Sequence, residues 1–537
     1  MARRRGIWIL TGIVCLFSLG ALSVLRRALN PEQTAAEFGV YETLPADTSE
    51  EDPLLHIGED FLVDDTFSTN LPIVILTLDG EPTDYKSFSN GEEIVDTSVE
   101  PYTGGTIAVI DGGTGRNCIS DAPSVVSAIR LKKRGHTSIA FDKPQYLIKT
   151  VTDTEEENLV DFLGMGEGHE WILNGSLADK SMLRNYLAYR IASEVGGGAM
   201  APDSRYCEVL LVTEGGYEYR GVYLLHETVS RGKNRVNIDQ FKQKNDYTSY
   251  IVRRDRFTSF DVMLDTYGRL NGLSEEWIGV KYPSEQKLTD TAKAFIEGDF
   301  SRTEQVLYAE DENLFRMYDQ YIDVDSFVDY FLINEFFGNY DAGEHSTYMY
   351  KNSGGKLYIG PVWDFDQAMD NYFQDEMESE TLAFQTAPLF EQLCQDKRFI
   401  DCLKERYGVL RAGVLSEDHV FLVIDETIAY LRSAQEREWY RWAADYEDGS
   451  FTNPHNYYLA DYVQDGVTVN RFNDKYDQEI YIIRTYLHKH GNSIQTELTK
   501  LYKLTKYDTS VRGENGLLLL MIMILFLVPS LLINRRG

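Results

Sequence analysis

Seven consecutive residues carry the sharpest chemical signal in the chain: Gly360-Pro361-Val362-Trp363-Asp364-Phe365-Asp366. Two carboxylates stand two positions apart at the end of an apolar strand, so in extended geometry they share one face. Like charges brought together need a cation or hydrogen-bond donors to compensate them. Paired oxygen ligands of this kind suit Mg²⁺ or Mn²⁺, with phosphate oxygens completing the coordination. The plainer alternative is one Asp capping the next turn and the other solvated. A third carboxylate, Asp341, lies earlier in the loop Asn339-Tyr340-Asp341-Ala342-Gly343. There it could take a proton from an attacking hydroxyl, or simply close an Asx-turn.

The elements that must position these groups can be read from pattern. A helix from about Asp323 carries Phe327, Val328, Phe331, Leu332 and Phe336 and ends near Gly338. The Asp341 loop follows, then a hairpin over 346–351 and 356–362. The order of Asp in a loop, hairpin and Asp-Phe-Asp is that of phosphoryl-transfer enzymes of the protein-kinase type. Upstream, short apolar β-rich runs predict strands at 72–76, 106–110, 125–131 and 145–150. Asp179 is read as the N-cap of a helix with the stripe Leu183, Leu187, Ile191 and Val195, stopped at Gly196. A hairpin over 207–214 and 217–225 turns at Gly215-Gly216. Residues 387–446 and 474–502 read as helical.

A basic group stands out in an acidic chain: Lys132-Lys133-Arg134, then Lys143 and Lys149. Such cations on adjacent strands could grip phosphates or guard a strand edge against aggregation. Gly112-Gly113-Thr114-Gly115 reads better as a turn than as a phosphate loop, and no Walker Gly-Lys-Ser/Thr occurs. The sequence has no His-Glu-x-x-His.

These motifs resemble the CotH family, the spore-coat-H-type atypical protein kinases. The resemblance runs from about Pro72 to Tyr502. It rests on Arg134-Gly135-x-x-Ser138 with Phe141-Asp142-Lys143 and Tyr146-x-Ile148-Lys149; on Trp171-x-Leu173, Asp179-Lys180-Ser181 and Arg184-Asn185; and on Tyr219-Arg220-Gly221-Val222-Tyr223 with Glu227. Further along come Lys281-Tyr282-Pro283, Asn334-Glu335, Gly338-Asn339-Tyr340-Asp341, Lys356-Leu357-Tyr358 and the Asp364-Phe365-Asp366 run. The resemblance implies an α+β, bilobal atypical protein-kinase-like fold, with a mixed N-terminal lobe and a helical C-terminal lobe. It implies ATP and Mg²⁺ (or Mn²⁺) as cofactors and phosphate transfer to Ser of protein substrates. By position, Asp341 matches the catalytic aspartate, Asp364 the metal-binding aspartate and Asp366 a second or outer ligand. Arg134, Lys143, Lys149 and Arg184 match candidate triphosphate contacts, and Glu227 the nucleotide-proximal edge. The chain departs from the family pattern at His136 and Pro144. It also carries Ser346 where conventional kinases place a metal-binding Asn. A catalytically weak pseudokinase, acting as a surface or spore-coat assembly scaffold, is the alternative. Metal-dependent hydrolysis is a third reading.

The whole chain has 537 residues, 85 acids against 52 Lys and Arg, and a formal charge of −33. Hydrophobic content of 43% supports a sizeable core, while the acidity argues against a nucleic-acid partner. Four sparse cysteines in the middle of the chain do not form a disulfide framework. Residues 1–27 read as a membrane anchor or signal sequence and 516–533 as a C-terminal transmembrane helix, both apolar with Arg flanks. Residues 28–70 read as an acidic linker, a flexible stalk, and 71–510 as the kinase-like domain. This arrangement places the chain at the cell membrane with terminal transmembrane helices, both termini cytoplasmic and the main domain extracytoplasmic. Its expected partner is a Ser-containing envelope or secreted protein.

Overall fold

A computed structural model describes residues 43–509, apart from 90–91, 114, 197–200, 257–260, 274–276, 372–378, 449–461, 465–466 and 470–474. Seven strands dominate the first half: β1 (Ile73–Leu78), β2 (Thr103–Ile110), β3 (Val125–Arg134), β4 (Gln145–Val151), β5 (Glu170–Asn174), β6 (Ser204–Thr213) and β7 (Gly216–Glu227). They pair in the order β7-β5-β4-β3-β2-β1-β6, and β6 pairs back onto β7. The sheet is therefore a closed barrel. All its neighbours are antiparallel except β1 and β6. Alternation along each strand sends Leu76, Val109, Ile129, Leu131, Ile148, Trp171 and Leu225 into a common interior.

This corrects the expectation of a bilobal kinase fold with terminal transmembrane helices. The predicted strands exist at nearly the expected positions, but the long β6–β7 hairpin reaches both ends of the sheet and closes it. Closure removes the unpaired edges that an open sheet would leave. The membrane placement is corrected as well. Among the described residues no helix is long and apolar enough to cross a membrane, and residues 1–27 and 516–533 lie outside the described residues. Membrane anchoring is thus unsupported.

A second sheet has the order β9-β8-β10-β11, formed by β8 (Tyr250–Asp255), β9 (Trp277–Tyr282), β10 (Thr347–Lys351) and β11 (Leu357–Ile359), with the short strand Met263–Leu264 beyond β9. It packs on the outer face of the barrel through Ile172, Ile251, Tyr348, Tyr350 and Trp363, with Leu147 at the margin. The strands β8 and β9 fall in a stretch where the sequence pattern predicted no element.

The main helices are α1 (Arg184–Val195), α2 (Asp290–Leu307), α3 (Val324–Phe337), α4 (Lys397–Arg411), α5 (Glu417–Arg441) and α6 (Tyr476–Lys500). The helix predicted from Asp179 starts later, at Arg184. Residues between them form a turn in which the Asp179 carboxylate accepts from Ser181 N (3.1 Å) and still caps Arg184 N (2.8 Å). α3 is buried on nearly every side, so it is the central helix. Asp323 caps its start by accepting from Ser326 N, and Gly338 ends it in the left-handed conformation.

α5 is fastened to the barrel hairpin by ion pairs. Arg437 binds both oxygens of buried Glu208 (2.7 and 2.8 Å) and Lys143 binds Glu438 (2.6 Å). The latter half of the acidic segment is folded onto this assembly. Asp47 N donates to Ala429 O and its carboxylate accepts from Ser433 N, while Val63 and Phe67 are buried. Cys118, Cys207, Cys394 and Cys402 are unpaired.

Candidate active site

The carboxylate run begins where β11 leaves the second sheet. Asp364 takes a left-handed backbone conformation (φ 63°), uncommon for a residue with a Cβ. That turn is held from three sides. Asn185 of α1 accepts from Phe365 N at 2.8 Å, Tyr189 OH accepts from Asp364 N at 3.3 Å, and Asn339 donates to Trp363 O at 3.1 Å. Asn339 also donates to Asn334 Oδ1 of α3. This one amide therefore links the end of α3, the Asp341 loop and the Asp364 strand. Helix register, loop and strand are set together.

The Asp341 loop is fixed by its own hydrogen bonds. His345 N donates to Asp341 O (2.8 Å), Thr347 Oγ1 accepts from Gly343 N (2.7 Å), and buried Arg254 of β8 donates to Gly343 O (3.1 Å). Ser346, also left-handed, donates from its hydroxyl to Asp364 Oδ2 at 3.1 Å. The residue standing where conventional kinases carry a metal-binding Asn is thus in contact with the proposed metal-binding aspartate.

The three carboxylates differ in surroundings. Asp364 reaches solvent, yet enclosure by protein raises its pKa, with Arg134 pulling it down and Asp341 pushing it up. Asp364 is thus an exposed carboxylate set among neighbouring charges. Asp341 is half-buried and also raised, chiefly by burial, with Arg256 lowering and Asp255 and Glu344 raising it. Asp366 is buried. Burial first, and then Asp364, push it to about 7. Its Oδ1 accepts from Ser176 Oγ (2.6 Å) and from Asn185 Nδ2, and Gln145 Nε2 lies 3.5 Å from Oδ2. Asp366 is therefore a clamp between barrel and α1, turned away from open solvent.

Arg134 is the cation that acts on both Asp364 and Asp366. It lies at the end of β3 and donates to Gln145 Oε1 (2.7 Å). Asp341, Asp364, Asp366 and Arg134 are thus gathered in one place. The other sequence candidates are not. Lys143 is fully buried, donating to Glu438 and to Val222 O (2.7 Å) beneath the Tyr223 ring. Arg184 is fully buried and binds Asp179 (2.6 Å), Glu479 of α6 (3.2 Å) and Ala368 O (2.9 Å), bracing the loop beyond Asp366. Glu227 pairs with Arg235 at 3.3 Å, and burial pushes it to about 7. Lys149 pairs with Glu170 at 3.2 Å further along the barrel face.

Two neighbours were not singled out from sequence: Asp255 and Arg256, at the end of β8. They act on Asp341 across the sheet. Only the β8–β10 pairing brings them there, and nothing local in the sequence marks it. Asn185 and Ser176, which hold Asp366, were visible at most as parts of longer motifs.

The geometry now includes a strand-end carboxylate with a loop carboxylate and an arginine both acting on it. Comparison with known protein families matches residues 131–494 to CotH kinase protein. The chain belongs to the CotH family. The CotH match starts in β3 and ends in α6, so it spans Asp341, Asp364 and Asp366. No curated protein matches the chain.

A CotH protein is kinase-like, and kinase-like proteins typically use ATP with Mg²⁺. Among the described residues no three His, Cys, Asp or Glu side chains gather closely enough to hold a metal alone. A kinase-type Mg²⁺ does not need them, because it takes one or two carboxylates from protein and the rest from phosphate and water. Asp364 fits that role. Its carboxylate is exposed, its pKa is raised chiefly by enclosure in protein and then by Asp341, and Asp366 lies two residues on.

Proposed function

We propose that this CotH protein transfers the γ-phosphate of ATP to Ser hydroxyls of a protein substrate, with Mg²⁺ or Mn²⁺ as the metal. The observation that supports this most is the convergence on Asp364 of the Asp341 charge, which raises its pKa, and the Arg134 charge, which lowers it. Asp364, steadied by the Ser346 hydroxyl, would hold the metal, which when bound neutralises charge on the phosphates. Asp341 orients the Ser hydroxyl and accepts its proton. Burial and the neighbouring acids make its carboxylate a better base than a free aspartate. Arg134 offers a planar fork of donors to phosphate oxygens. Asp366, Asn185 and Ser176 act through position, keeping the Asp364 turn in place.

The test is transfer of labelled phosphate from ATP to a Ser-rich protein by the full-length chain. Asp341→Asn and Asp364→Asn should each lower incorporation by on the order of 10²-fold or more, since general-base and charge-stabilising groups each contribute at that scale. Full activity in purified Asp364→Asn protein would refute the assignment.

A further inference from the structure

The outer face of β3, β4 and β5 carries a second set of charges beyond Arg134. Pairing across these strands gives three transverse rows. Arg134 lies opposite Gln145, Lys132 opposite Leu147, and Arg130 opposite Lys149, which in turn faces Glu170. Residues two apart on a strand share a face, so Lys132 sits about 7 Å from Arg134 along β3, and Arg130 about twice that. Lys281 of β9 comes to the same place from the second sheet. Its Nζ is 3.9 Å from Glu170, whose other oxygen is 3.2 Å from Lys149. Lys132 Nζ lies over the rings of Tyr85 (5.5 Å) and Tyr102 (5.1 Å), and Lys149 Nζ over Tyr102 (5.4 Å).

Two ammonium groups from two sheets thus share one carboxylate, with the Lys132 ammonium beside them, in a chain of charge −33. Among the described residues Lys132 has no carboxylate within ion-pair distance. The consequences of the crowding differ by residue. Burial and the neighbouring Lys149, Lys86 and Lys281 push Lys132 down to about 8, while Lys281 and Lys149 hold buried Glu170 at about 2. Gathering like charges on a half-buried face is unfavourable unless an anion completes it.

We infer that Lys132, Lys149 and Lys281 form a polyphosphate-binding row that holds the phosphate chain of the nucleotide whose terminal phosphate reaches Asp364. This rests on the transfer reading above and adds Lys132 and Lys281 to its binding residues. Arg134 and Lys132 lie in line on one strand, so a phosphate chain beginning at the carboxylates passes directly onto them. A long lysine stem gives each ammonium the reach to follow it.

The experiment measures binding of ADP, adenosine and inorganic tripolyphosphate to the full-length chain, with Mg²⁺ present. The variants are Lys132→Met, Lys281→Met and, as a control, Lys133→Met, whose lysine pairs with Asp84. Each of the first two should weaken ADP and tripolyphosphate by about 10- to 100-fold, the scale of a lost charge-assisted contact. Adenosine affinity and the control should not change. Unaltered ADP and tripolyphosphate affinity in Lys281→Met, whose lysine lies on the other sheet, overturns the inference even should Lys132→Met not fold. So does a loss confined to a phosphorylated acceptor peptide. If both variants transfer phosphate with wild-type KM for ATP, the row falls while the transfer reading stands. Tripolyphosphate bound through Lys132 without nucleotide binding or transfer keeps the anion site and overturns the transfer reading.

Discussion

Replacing Lys143 by Met should cost stability and leave the affinity for ATP alone. The ammonium is fully buried and its donors are taken up by Glu438 at 2.6 Å, Val222 O at 2.7 Å and the face of Tyr223. Glu438 in turn accepts from Val222 N at 2.7 Å and from Tyr446 OH at 3.0 Å. Lys143→Met leaves that carboxylate in the interior with two neutral donors and no cation. Removing one partner of a buried ion pair costs about 3–5 kcal/mol, a large share of the 5–15 kcal/mol that typically separates folded from unfolded protein. Lys143→Met/Glu438→Gln removes both charges and should recover on the order of 2 kcal/mol of that loss. Urea unfolding of wild type, both single variants and the double variant closes the cycle. ATP titration is done on the same samples. An unfolding midpoint within about 0.5 kcal/mol of wild type, the usual scale of an innocuous surface change, would refute the structural role. A tenfold rise in KM for ATP at unchanged stability would return Lys143 to the nucleotide.

Three further outcomes follow from the site. Asn185→Ala removes a donor to Asp366 and the acceptor for Phe365 N; kcat should fall at least tenfold with KM for ATP little changed, read by steady-state kinetics. Asp366 has a folded pKa of about 7 against 3.8 for the free side chain, so the folded state holds a proton there that the unfolded chain has released. Its contribution to stability is complete below about pH 4 and is lost as pH rises through about 7. In chelator, this group alone should therefore lower the wild-type unfolding free energy between pH 5 and 7.5 by on the order of 2–4 kcal/mol at 1.4 kcal/mol per unit. Asp366→Asn should remove that share of the slope and leave a comparable one from Glu227, whose pKa is likewise pushed to about 7; parallel slopes would refute the assignment. Arg437→Met should destabilise by about 3–5 kcal/mol in the same urea assay, since it strips two charge-assisted hydrogen bonds from buried Glu208 and leaves it with only the Tyr219 hydroxyl among side-chain donors.

Local signals carried well from sequence to structure. The α3 stripe and its bounds near Asp323 and Gly338 appear as read, and the β6–β7 hairpin turns where Gly215-Gly216 lies. Asp341 and Asp364 proved close because a hairpin joins them, and hairpins are short-range. What pattern could not show was pairing at long range. Closure of the barrel depends on β1 meeting β6 in parallel, and each strand's alternation is the same in an open sheet. The basic residues were misjudged as a group for a related reason. Arg134, Lys143 and Lys149 are equally basic in sequence, but one acts on Asp364 and Asp366, one is locked to α5 and one pairs with Glu170. Burial and partner decide among them, and both are set by distant chain.

The guanidinium of Arg184 has a further consequence for how the protein is made. It joins the start of α1, the backbone just past Asp366 and Glu479 of α6. The brace beneath the carboxylate turn therefore waits for nearly the last helix to be synthesised. During translation the barrel can close early, from strands that end by Glu227. The reactive turn would remain unbraced until α6 emerges and docks, and contacts of such sequence separation form late. A chain interrupted before Glu479 would thus carry a finished barrel and an unbraced carboxylate turn.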